Sequence, residues 1–343
     1  FEQDGKMIKI GVIDIPAFYM DFDAFRKGDK DYKSTTRDVR NLLKELSNEK
    51  VDGIVLDLRN NGGGSLNEST TLTDLFIDYG PVVQIKDSQQ YVYRNQRAKI
   101  PAVYDGPLLV MINRLSASAS EILAGALQDY GRALIVGSQS FGKGTVQELN
   151  GLSSGQLKLT VSKFYRVSGD STQHRGVLPD IAFPSAYDTD EVGESHEENA
   201  LPWDSIHSVA FKRSSHLGQF IAPLTLKHEA RSAKDPDYRH MIQKLEFTEE
   251  WTSGEALSLN IANRRARAKD WEMTLLEFEN SRRKAKKMEV FSDIEAWKDD
   301  QKDEPEIATV QDGKIEVKNG DNNEAVVEEK NGTGSVPMLQ EAE

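Results

Sequence analysis

The chain of 343 residues contains no cysteine, so it has neither a disulfide framework nor a catalytic thiol. It also lacks an apolar run of about 18 residues, which argues against a transmembrane segment. No basic stripe of the kind that binds nucleic acid is present. Histidine is scarce, because all six histidines lie at position 174 or later and only His174 falls in the strand-and-helix part. A histidine-based catalytic triad therefore has little support.

The formal net charge of −13 is concentrated at the C-terminal end of the sequence. Residues 299–343 hold 13 acidic and 4 basic side chains, so residues 1–298 are only weakly acidic. Most of the negative charge thus belongs to a C-terminal tail and gives no indication of the substrate. Residues 301–343 also have no apolar periodicity and are rich in Glu, Asp, Asn and Gly. We therefore predict that this acidic tail is disordered.

Apolar runs typical of buried strands alternate with amphipathic, helix-like segments in the first half of the chain. The strand-like runs are residues 7–14, 51–58, 108–113 and 133–137, and the helix-like segments lie near 35–48, 66–77 and 118–130. This alternation predicts an α/β fold with βαβ units and a mainly parallel sheet. Two further strands, at 144–149 and 156–166, are predicted with no helix between them.

A change in composition marks the end of the α/β part. Residues 188–199 are acidic and lose apolar periodicity, which is typical of a linker. The segments beyond it have helical spacing and many charges, at 223–234, 236–251 and 260–288. We therefore predict three regions: an α/β core at 1–190, an all-helical domain at 191–300 and the disordered tail at 301–343.

The most informative stretch is SASASE, at residues 116–121. Ser118 has the pattern of a helix capping box, because Glu121 lies three positions later and an apolar run follows. This pattern indicates only the start of a helix. An N-cap serine is also a candidate nucleophile, because the amides and the dipole of a helix start favour negative charge. Both interpretations stay open at this point.

A second motif, SFGKGT at 140–145, places Lys143 between two glycines after an apolar strand. The Gly137-x4-Gly142-Lys143 spacing is similar to a phosphate-binding loop, so nucleotide binding is one alternative. Three features count against it: residue 144 is neither Ser nor Thr, the next segment predicts a strand, and the candidate metal-binding strand 53–57 precedes the loop. Lys143 is then the remaining candidate base, which requires burial to lower its pKa from about 10.4.

A third motif, RNNGGGS at 59–65, lies between a strand and a predicted helix. Three glycines often form a simple turn. At the carboxyl end of a parallel strand, however, their unobstructed amides suit an oxyanion hole. The amide of Ala119, beside the serine, would then be the second donor.

Together, LRNNGGG, SASASEILAGALQDYGRALIVG and SFGKGTVQ resemble the carboxyl-terminal processing, or tail-specific, serine proteases over about residues 7–185. The segment ALPWDSI and the charged helices after it resemble the larger bacterial branch of that family. The resemblance implies a crotonase-like or ClpP-like core without metal or cofactor. The residues that it implicates are Ser118 as nucleophile, Lys143 as general base, Gln147 orienting the lysine, Gly63 or Gly64 and Ala119 as oxyanion donors, and Glu121 and Asp129 as supporting acids.

Backbone geometry tests two of these assignments. Asp129 lies eleven residues after Ser118, about 16 Å along a helix, so we predict a structural or loop-anchoring role rather than a place in a triad. Four extended residues separate Lys143 from Gln147, a span of about 13 Å. Contact between their side chains would require a bend, and Gly144 is the candidate position.

The resemblance also implies a function: a serine endopeptidase that forms an acyl-enzyme with proteins recognised by apolar C-terminal tails. It implies a periplasmic location, an adaptor protein as a candidate partner, and a PDZ domain ahead of the core. Because a strand begins at residue 7 with no signal peptide or initiator methionine, we expect the PDZ domain to lie outside this sequence. The alternatives are an inactive binding or scaffold fragment and a nucleotide-binding protein.

Overall fold

The computed structural model describes residues 1–3, 5–94, 99–213, 217–253, 258–302, 309–311 and 314–316. The chain divides into two compact units, Phe1–Leu226 and Lys227–Glu343. The predicted disordered tail lies outside the described residues, apart from 301–302 and two short strands. The predicted domain boundaries at 190 and 300 stay predictions.

Strands and helices have the following bounds. The strands are β1 (Glu2–Gln3), β2 (Lys6–Met7), β3 (Ile10–Asp14), β4 (Gly53–Asp57), β5 (Gln84–Asp87), β6 (Val92–Arg94), β7 (Leu108–Ile112), β8 (Leu134–Gly137), β9 (Thr145–Gly151), β10 (Gln156–Tyr165), β11 (Ile181–Ala182), β12 (Thr309–Gln311) and β13 (Lys314–Glu316). The helices are α1 (Phe22–Arg26), α2 (Thr35–Asn48), α3 (Leu66–Thr73), α4 (Ala119–Asp129), α5 (Gly218–Ser232), α6 (Pro236–Thr252), α7 (Ile261–Ala285) and α8 (Ile294–Lys302), with a 3-10 helix at Glu194–His196.

The central sheet of the first unit has five strands in the order β11-β8-β7-β4-β3, and every neighbouring pair is parallel. Its strands carry Val, Ile and Leu in the short apolar runs that fit a covered sheet. The predicted α/β core with a mainly parallel sheet is therefore confirmed. A second, antiparallel sheet has the order β6-β5-β10-β9 and contains the two later strands that the sequence predicts.

One hydrophobic core joins the parallel sheet to helices α2, α3 and α4. Leu56 of β4, Val110 of β7 and Ile135 of β8 are completely buried, and they share a cluster with Leu72 of α3 and Leu123 of α4. Truncating one such side chain to alanine typically costs about 2–5 kcal/mol. This close packing fixes the strand ends from which the loops of the candidate site leave.

The second unit is helical over most of its described residues, which confirms the predicted helical C-terminal part. Helices α6 and α7 meet through aromatic rings, with Phe247 stacked on Trp271 at 4.8 Å between centroids. Arg282 of α7 also donates to Asp237 of α6 at 2.7 Å. In the part of the chain that the structure describes, no helix combines the length and apolarity needed to cross a membrane.

Candidate active site

The three sequence motifs follow three adjacent strands of the parallel sheet. The glycine loop follows β4, the serine motif follows β7 and the lysine motif follows β8, and these strands lie side by side. Because the carboxyl ends of parallel strands lie at one edge, the loops converge there. Hydrogen bonds join them: Ala117 N–H donates to the Asn61 carbonyl at 2.9 Å, and Phe141 N–H donates to the Ser116 carbonyl at 3.0 Å.

Ser118 is the N-cap residue of α4 and has a strained backbone, with φ 57° and ψ −110°. Conformations of this kind are costly for a residue with a Cβ and are concentrated at functional sites. The Ser118 N–H donates to Glu121 Oε2 at 2.8 Å, which is the glutamate half of the predicted capping box, while the Glu121 N–H donates to the Ser118 carbonyl oxygen at 2.9 Å. The Ser118 hydroxyl forms no cap hydrogen bond to the helix, and the residue is partly exposed. Its hydroxyl is therefore available for chemistry.

The two neighbouring serines have structural roles. The Ser116 hydroxyl donates to the Leu58 carbonyl at 2.8 Å and accepts from the Asn113 N–H at 2.9 Å. The Ser120 hydroxyl donates to the Asn61 carbonyl at 2.9 Å. Both serines are completely buried. Of the three serines in the motif, Ser118 alone combines exposure with a hydroxyl that is not bound to the backbone.

The glycine loop approaches the serine so closely that only glycine fits. A Cβ on Gly63 would lie 2.8 Å from Ser118 Cβ and 3.1 Å from the Ala119 nitrogen, and φ at Gly63 is 104°. Gly64 has φ 144°, and a Cβ there would clash with the Phe18 carbonyl. The loop is therefore more than a turn, because it forms one wall around Ser118.

The structure distinguishes the three amides that were predicted as oxyanion donors. The Gly63 N–H donates to Asn61 Oδ1 at 2.9 Å. In the described chain, the N–H groups of Gly64 and Ala119 have no hydrogen-bond acceptor. Asn61, which sequence reasoning missed, is completely buried, and its Nδ2 donates to the Ile15 carbonyl at 2.6 Å. The Gly63 amide is therefore already bound within the loop, whereas in the described part of the chain the amides of Gly64 and Ala119 stay free to donate.

Glu121 connects the serine motif to the lysine motif. It is completely buried, and its carboxylate accepts from the N–H of Gly142 at 2.7 Å, the N–H of Lys143 at 2.9 Å and the hydroxyl of Ser140 at 2.6 Å, in addition to Ser118. Burial raises the pKa of Glu121 from 4.5 to about 7, although these hydrogen bonds favour the ionised form. Glu121 thus fixes the backbone at both motifs.

The Lys143 amine lies beside Gln147. Lys143 is partly buried, and its Nζ donates to Gln147 Oε1 at 3.0 Å. Strand β9 begins only at Thr145, so Lys143 and Gly144 lie before the strand and the chain between Lys143 and Gln147 is not extended throughout. Burial lowers the pKa of Lys143, and the charge of Lys158 lowers it further. Among the described residues, no hydrogen bond joins Lys143 Nζ to the Ser118 hydroxyl; the amine is bound to Gln147 instead.

Asp129 forms a two-point ion pair with Arg166. Arg166 Nη2 lies 2.6 Å from Asp129 Oδ1, and Arg166 Nε lies 3.1 Å from Oδ2. Arg166 also donates to Gln128 Oε1 at 2.9 Å. In the described residues, no hydrogen bond connects Asp129 to Ser118 or Lys143. This contact agrees with the structural role predicted from helical spacing.

Arg114 is a buried cation that sequence reasoning missed. It is 1% exposed, and its guanidinium donates to the carbonyls of Val192 at 2.6 Å, Ser140 at 2.5 Å and Thr189 at 3.0 Å. Burial lowers the pKa of Arg114. The segment interpreted as a linker is therefore bound at 189–192 to the loop that carries Lys143. The feature of the sequence that could have identified Arg114 is its position between an apolar strand and the serine motif.

Gln173 is a second residue that the sequence did not single out. It is completely buried; its Oε1 accepts from the Gly144 N–H at 2.8 Å and its Nε2 donates to Glu194 Oε1 at 3.1 Å. Gln173 thus connects the residue after Lys143 to the 3-10 helix. Nothing in its sequence context separates it from an ordinary loop glutamine.

The site shows no arrangement for a metal or a nucleotide in the described residues. No group of three or more His, Asp or Glu side chains there could hold a metal ion. Lys143 is followed by strand β9 rather than by a helix, so its loop lacks the helix N-terminus that binds phosphate in a phosphate-binding loop. What the site does offer is a hydroxyl at a helix start, an amine with a lowered pKa and two unpaired amides. These groups suit acyl transfer.

Family models match both parts of the chain. Peptidase family S41 matches residues 9–183, and the C-terminal domain of tail specific protease (DUF3340) matches residues 187–342. Two curated relatives are similar. The chain is 40% identical over 298 residues to the tail-specific protease of Haemophilus influenzae, covering 83% of this chain and 41% of that protein. It is 41% identical over 155 residues to the carboxy-terminal-processing protease of Bartonella bacilliformis, covering 45% of this chain and 36% of that protein.

Solved structures give a partial match as well. The photosystem II D1 C-terminal processing protease has 34% sequence identity and a TM-score of 0.42, and the match covers 53% of this chain and 44% of that one. The chain spans less than half the length of the relatives described above.

Proposed function

The chain belongs to peptidase family S41, and we propose that it carries the catalytic core of a serine endopeptidase with Ser118 as nucleophile and Lys143 as general base. The observation that carries this proposal is the convergence of the three loops around Ser118. There, an available hydroxyl with a strained backbone lies against Gly63 and is joined through Glu121 to the Lys143 loop.

In the proposed reaction, the neutral Lys143 amine takes the proton of the Ser118 hydroxyl while Oγ attacks the scissile carbonyl carbon. The N–H groups of Gly64 and Ala119 stabilise the oxyanion that forms. The C–N bond then breaks, and the Lys143 ammonium returns the proton to the leaving amine. Water hydrolyses the resulting ester with Lys143 again as base, which regenerates Ser118.

Two contacts support Lys143 in this role. Burial disfavours the ammonium form, as a lysine base requires. Gln147 Oε1 accepts from Nζ and limits the positions that the long side chain adopts. The proposal requires Nζ to move from Gln147 toward Ser118 when substrate binds, which agrees with the tightening of catalytic hydrogen bonds in enzyme–substrate complexes.

The proposal includes the substrate class. The two relatives described above bear the names tail-specific and carboxy-terminal-processing protease. We propose that this chain likewise acts on proteins recognised by apolar C-terminal tails. A PDZ domain that binds the tail, an adaptor protein and a periplasmic location are parts of the same proposal and rest on the resemblance of the motifs.

Cleavage of an unfolded protein with an apolar C-terminus, followed by gel electrophoresis and mass spectrometry, tests the proposal. Ser118→Ala and Lys143→Ala should each lower the cleavage rate by about 10³-fold or more while keeping the fold. Ser47→Ala and Lys44→Ala, on the exposed side of α2, are the matched controls and should cleave normally. Normal cleavage by a folded Ser118→Ala variant would overturn the proposal.

A second candidate function is an inactive binding or scaffold module. The observation that favours it is that Lys143 Nζ bonds Gln147 and not Ser118. The chain should be assayed alone and fused to a PDZ domain, on the same substrate. Binding without cleavage by both forms would favour the scaffold, whereas Ser118-dependent cleavage by either form would exclude it.

A further inference from the structure

A lysine and a glutamate outside the three motifs lie on two elements that contact the residues around Lys143. Lys158 lies on β10. Strands β9 and β10 pair antiparallel, with Gln147 opposite Thr160 and Leu149 opposite Lys158. Residues two apart on a strand share a face and lie about 7 Å apart. Lys158 therefore lies on the same face of the hairpin as Thr160.

The same face carries the partner of Lys143. Gln147 Nε2 donates to Thr160 Oγ1 at 3.4 Å, and Gln147 Oε1 accepts from Lys143 Nζ at 3.0 Å. A continuous chain of side-chain contacts thus runs from Lys143 through Gln147 to β10, and Lys158 is the next residue on that face. Lys158 is exposed, so its charge reaches Lys143 through solvent and not through a direct bond.

Glu194, on the 3-10 helix, is attached to the Lys143 loop at two points. Its N–H donates to the Phe141 carbonyl at 3.1 Å. Its carboxylate Oε1 accepts from Gln173 Nε2 at 3.1 Å, and Gln173 Oε1 accepts from the Gly144 N–H at 2.8 Å. The buried amide of Gln173 therefore connects this carboxylate to the backbone of Gly144, the residue after Lys143.

We propose that Lys158 and Glu194 are positioning residues that set the charge state of the Lys143 amine in opposite directions, Lys158 favouring the neutral base and Glu194 the ammonium. The inference rests on the proposed function, in which Lys143 is the base. A general base works best when its pKa is near the working pH. Lys158 helps the amine to accept the serine proton, and Glu194 stabilises the ammonium until the leaving amine takes that proton.

The charges that face Lys143 come from three elements. Burial is the largest cause that lowers the pKa of Lys143, and Lys158 of β10 lowers it further. Glu194 of the 3-10 helix and Glu121 of α4 raise the pKa of Lys143. Glu121 differs from the other two because its carboxylate accepts from the Lys143 backbone and holds the loop in place. Lys158 and Glu194 are therefore the charges that can be changed without removing a backbone bond of the loop.

The test is the pH dependence of kcat/KM for two neutral variants. Activity rises as Lys143 loses its proton, so the midpoint of the acidic limb reports its pKa. Lys158→Gln should move that midpoint up by about half a pH unit, and Glu194→Gln should move it down by about as much. Glutamine at 194 keeps an oxygen that accepts from Gln173 Nε2. Both shifts should shrink in about 1 M salt, where charges are screened within about 3 Å.

Two controls match these changes. Glu148→Gln alters a carboxylate on β9 that points away from the face of Gln147, and Lys44→Gln alters a lysine on α2. Neither should move the midpoint. Equal shifts in a control and in the corresponding test variant would overturn the inference, because the effect would then reflect net charge.

A readout that does not depend on activity separates this inference from the proposed function. In Ser118→Ala protein, the 13C resonance of Lys143 Cε can be titrated directly and assigned by its loss in Lys143→Arg. The same two opposite shifts are expected there. If the titration of Lys143 is unchanged by both variants, the inference is wrong even when Lys143→Ala is inactive. If Lys143→Ala still cleaves, the proposed function fails, while the titration still decides the electrostatics.

Discussion

Ser118 and Lys143 share one carboxylate oxygen: their backbone N–H groups both donate to Glu121 Oε2, at 2.8 and 2.9 Å. The candidate nucleophile and the candidate base are thus held by a single buried atom. The other oxygen of Glu121 holds Ser140 and Gly142 in the same loop. A displacement of this carboxylate changes the positions of both candidate catalytic residues together.

The ionisation of Glu121 should make the protein less stable as pH rises. Its folded pKa, about 7, lies above the unfolded value of 4.5. Below pH 4.5 the Glu121 carboxyl is protonated in both the folded and the unfolded protein. Between pH 4.5 and pH 7 Glu121 is ionised in the unfolded protein but still protonated in the folded protein. The free energy of unfolding therefore falls as pH rises, and this group contributes about 3 kcal/mol to the fall. Urea denaturation of wild type and Glu121→Gln at pH 5 and pH 8 measures the effect.

In Glu121→Gln the free energy of unfolding should not decline in this way between pH 5 and pH 8, because the glutamine amide does not titrate. It should also be less stable than wild type at pH 5, since the amide Nε2 would face an N–H donor of the site. Glu45→Gln, on the exposed side of α2, should keep the decline. Parallel pH dependence in wild type and Glu121→Gln would show that Glu121 does not titrate in this range.

Gly63→Ala should inactivate the site, whereas Gly62→Ala should be nearly neutral. A Cβ at 63 would lie 2.8 Å from Ser118 Cβ and 2.9 Å from the Ala117 carbonyl oxygen, at φ 104°. A Cβ at 62 would meet no atom within 4 Å. We expect a loss of about 2–3 kcal/mol of stability at 63 and less than about 1 kcal/mol at 62. Thermal unfolding and cleavage assays of both variants check this; equal effects would contradict the close approach.

Replacing Ser118 with glycine should relieve the backbone strain at this position, so the glycine variant should be more stable than the alanine variant. With φ 57° and ψ −110°, a Cβ is costly there, so Ser118→Gly should be about 1 kcal/mol more stable than Ser118→Ala. Ser47 of α2 is the control, because its helical backbone reverses the order: Ser47→Ala should be the more stable variant. Chemical denaturation measures both pairs. The same order at both positions would argue against strain at 118.

Arg114→Lys should loosen the Lys143 loop although it keeps the positive charge. A single ammonium cannot reproduce the forked donors that reach Val192, Ser140 and Thr189. We expect a loss of about 2–4 kcal/mol of stability and faster amide exchange in 138–144 and 189–194. Hydrogen exchange with mass spectrometry measures this, with the exposed Arg26→Lys as control. Unchanged exchange in those segments would show that Arg114 does not hold them.

The sequence by itself determined the parallel α/β core, because apolar runs and amphipathic helices are local patterns that need no knowledge of the partner strand. It also singled out the loops around Gly63, Ser118 and Lys143, since each leaves the end of a predicted strand. It also predicted that a straight strand could not bring Gln147 to Lys143, because four extended residues are too long for that contact; the bend at Gly144 stays a prediction.

Only the tertiary structure decided how these groups meet. The capping-box pattern could not reveal that the same Glu121 carboxylate also holds Lys143, because that bond crosses from α4 to the loop after β8. Nor could it reveal that Asn61 takes the Gly63 amide, or that a buried Arg114 binds an acidic segment that resembles a linker. Burial and hydrogen bonding between distant loops arise only once the chain has packed, and they determine which amides stay unpaired and which pKa values shift.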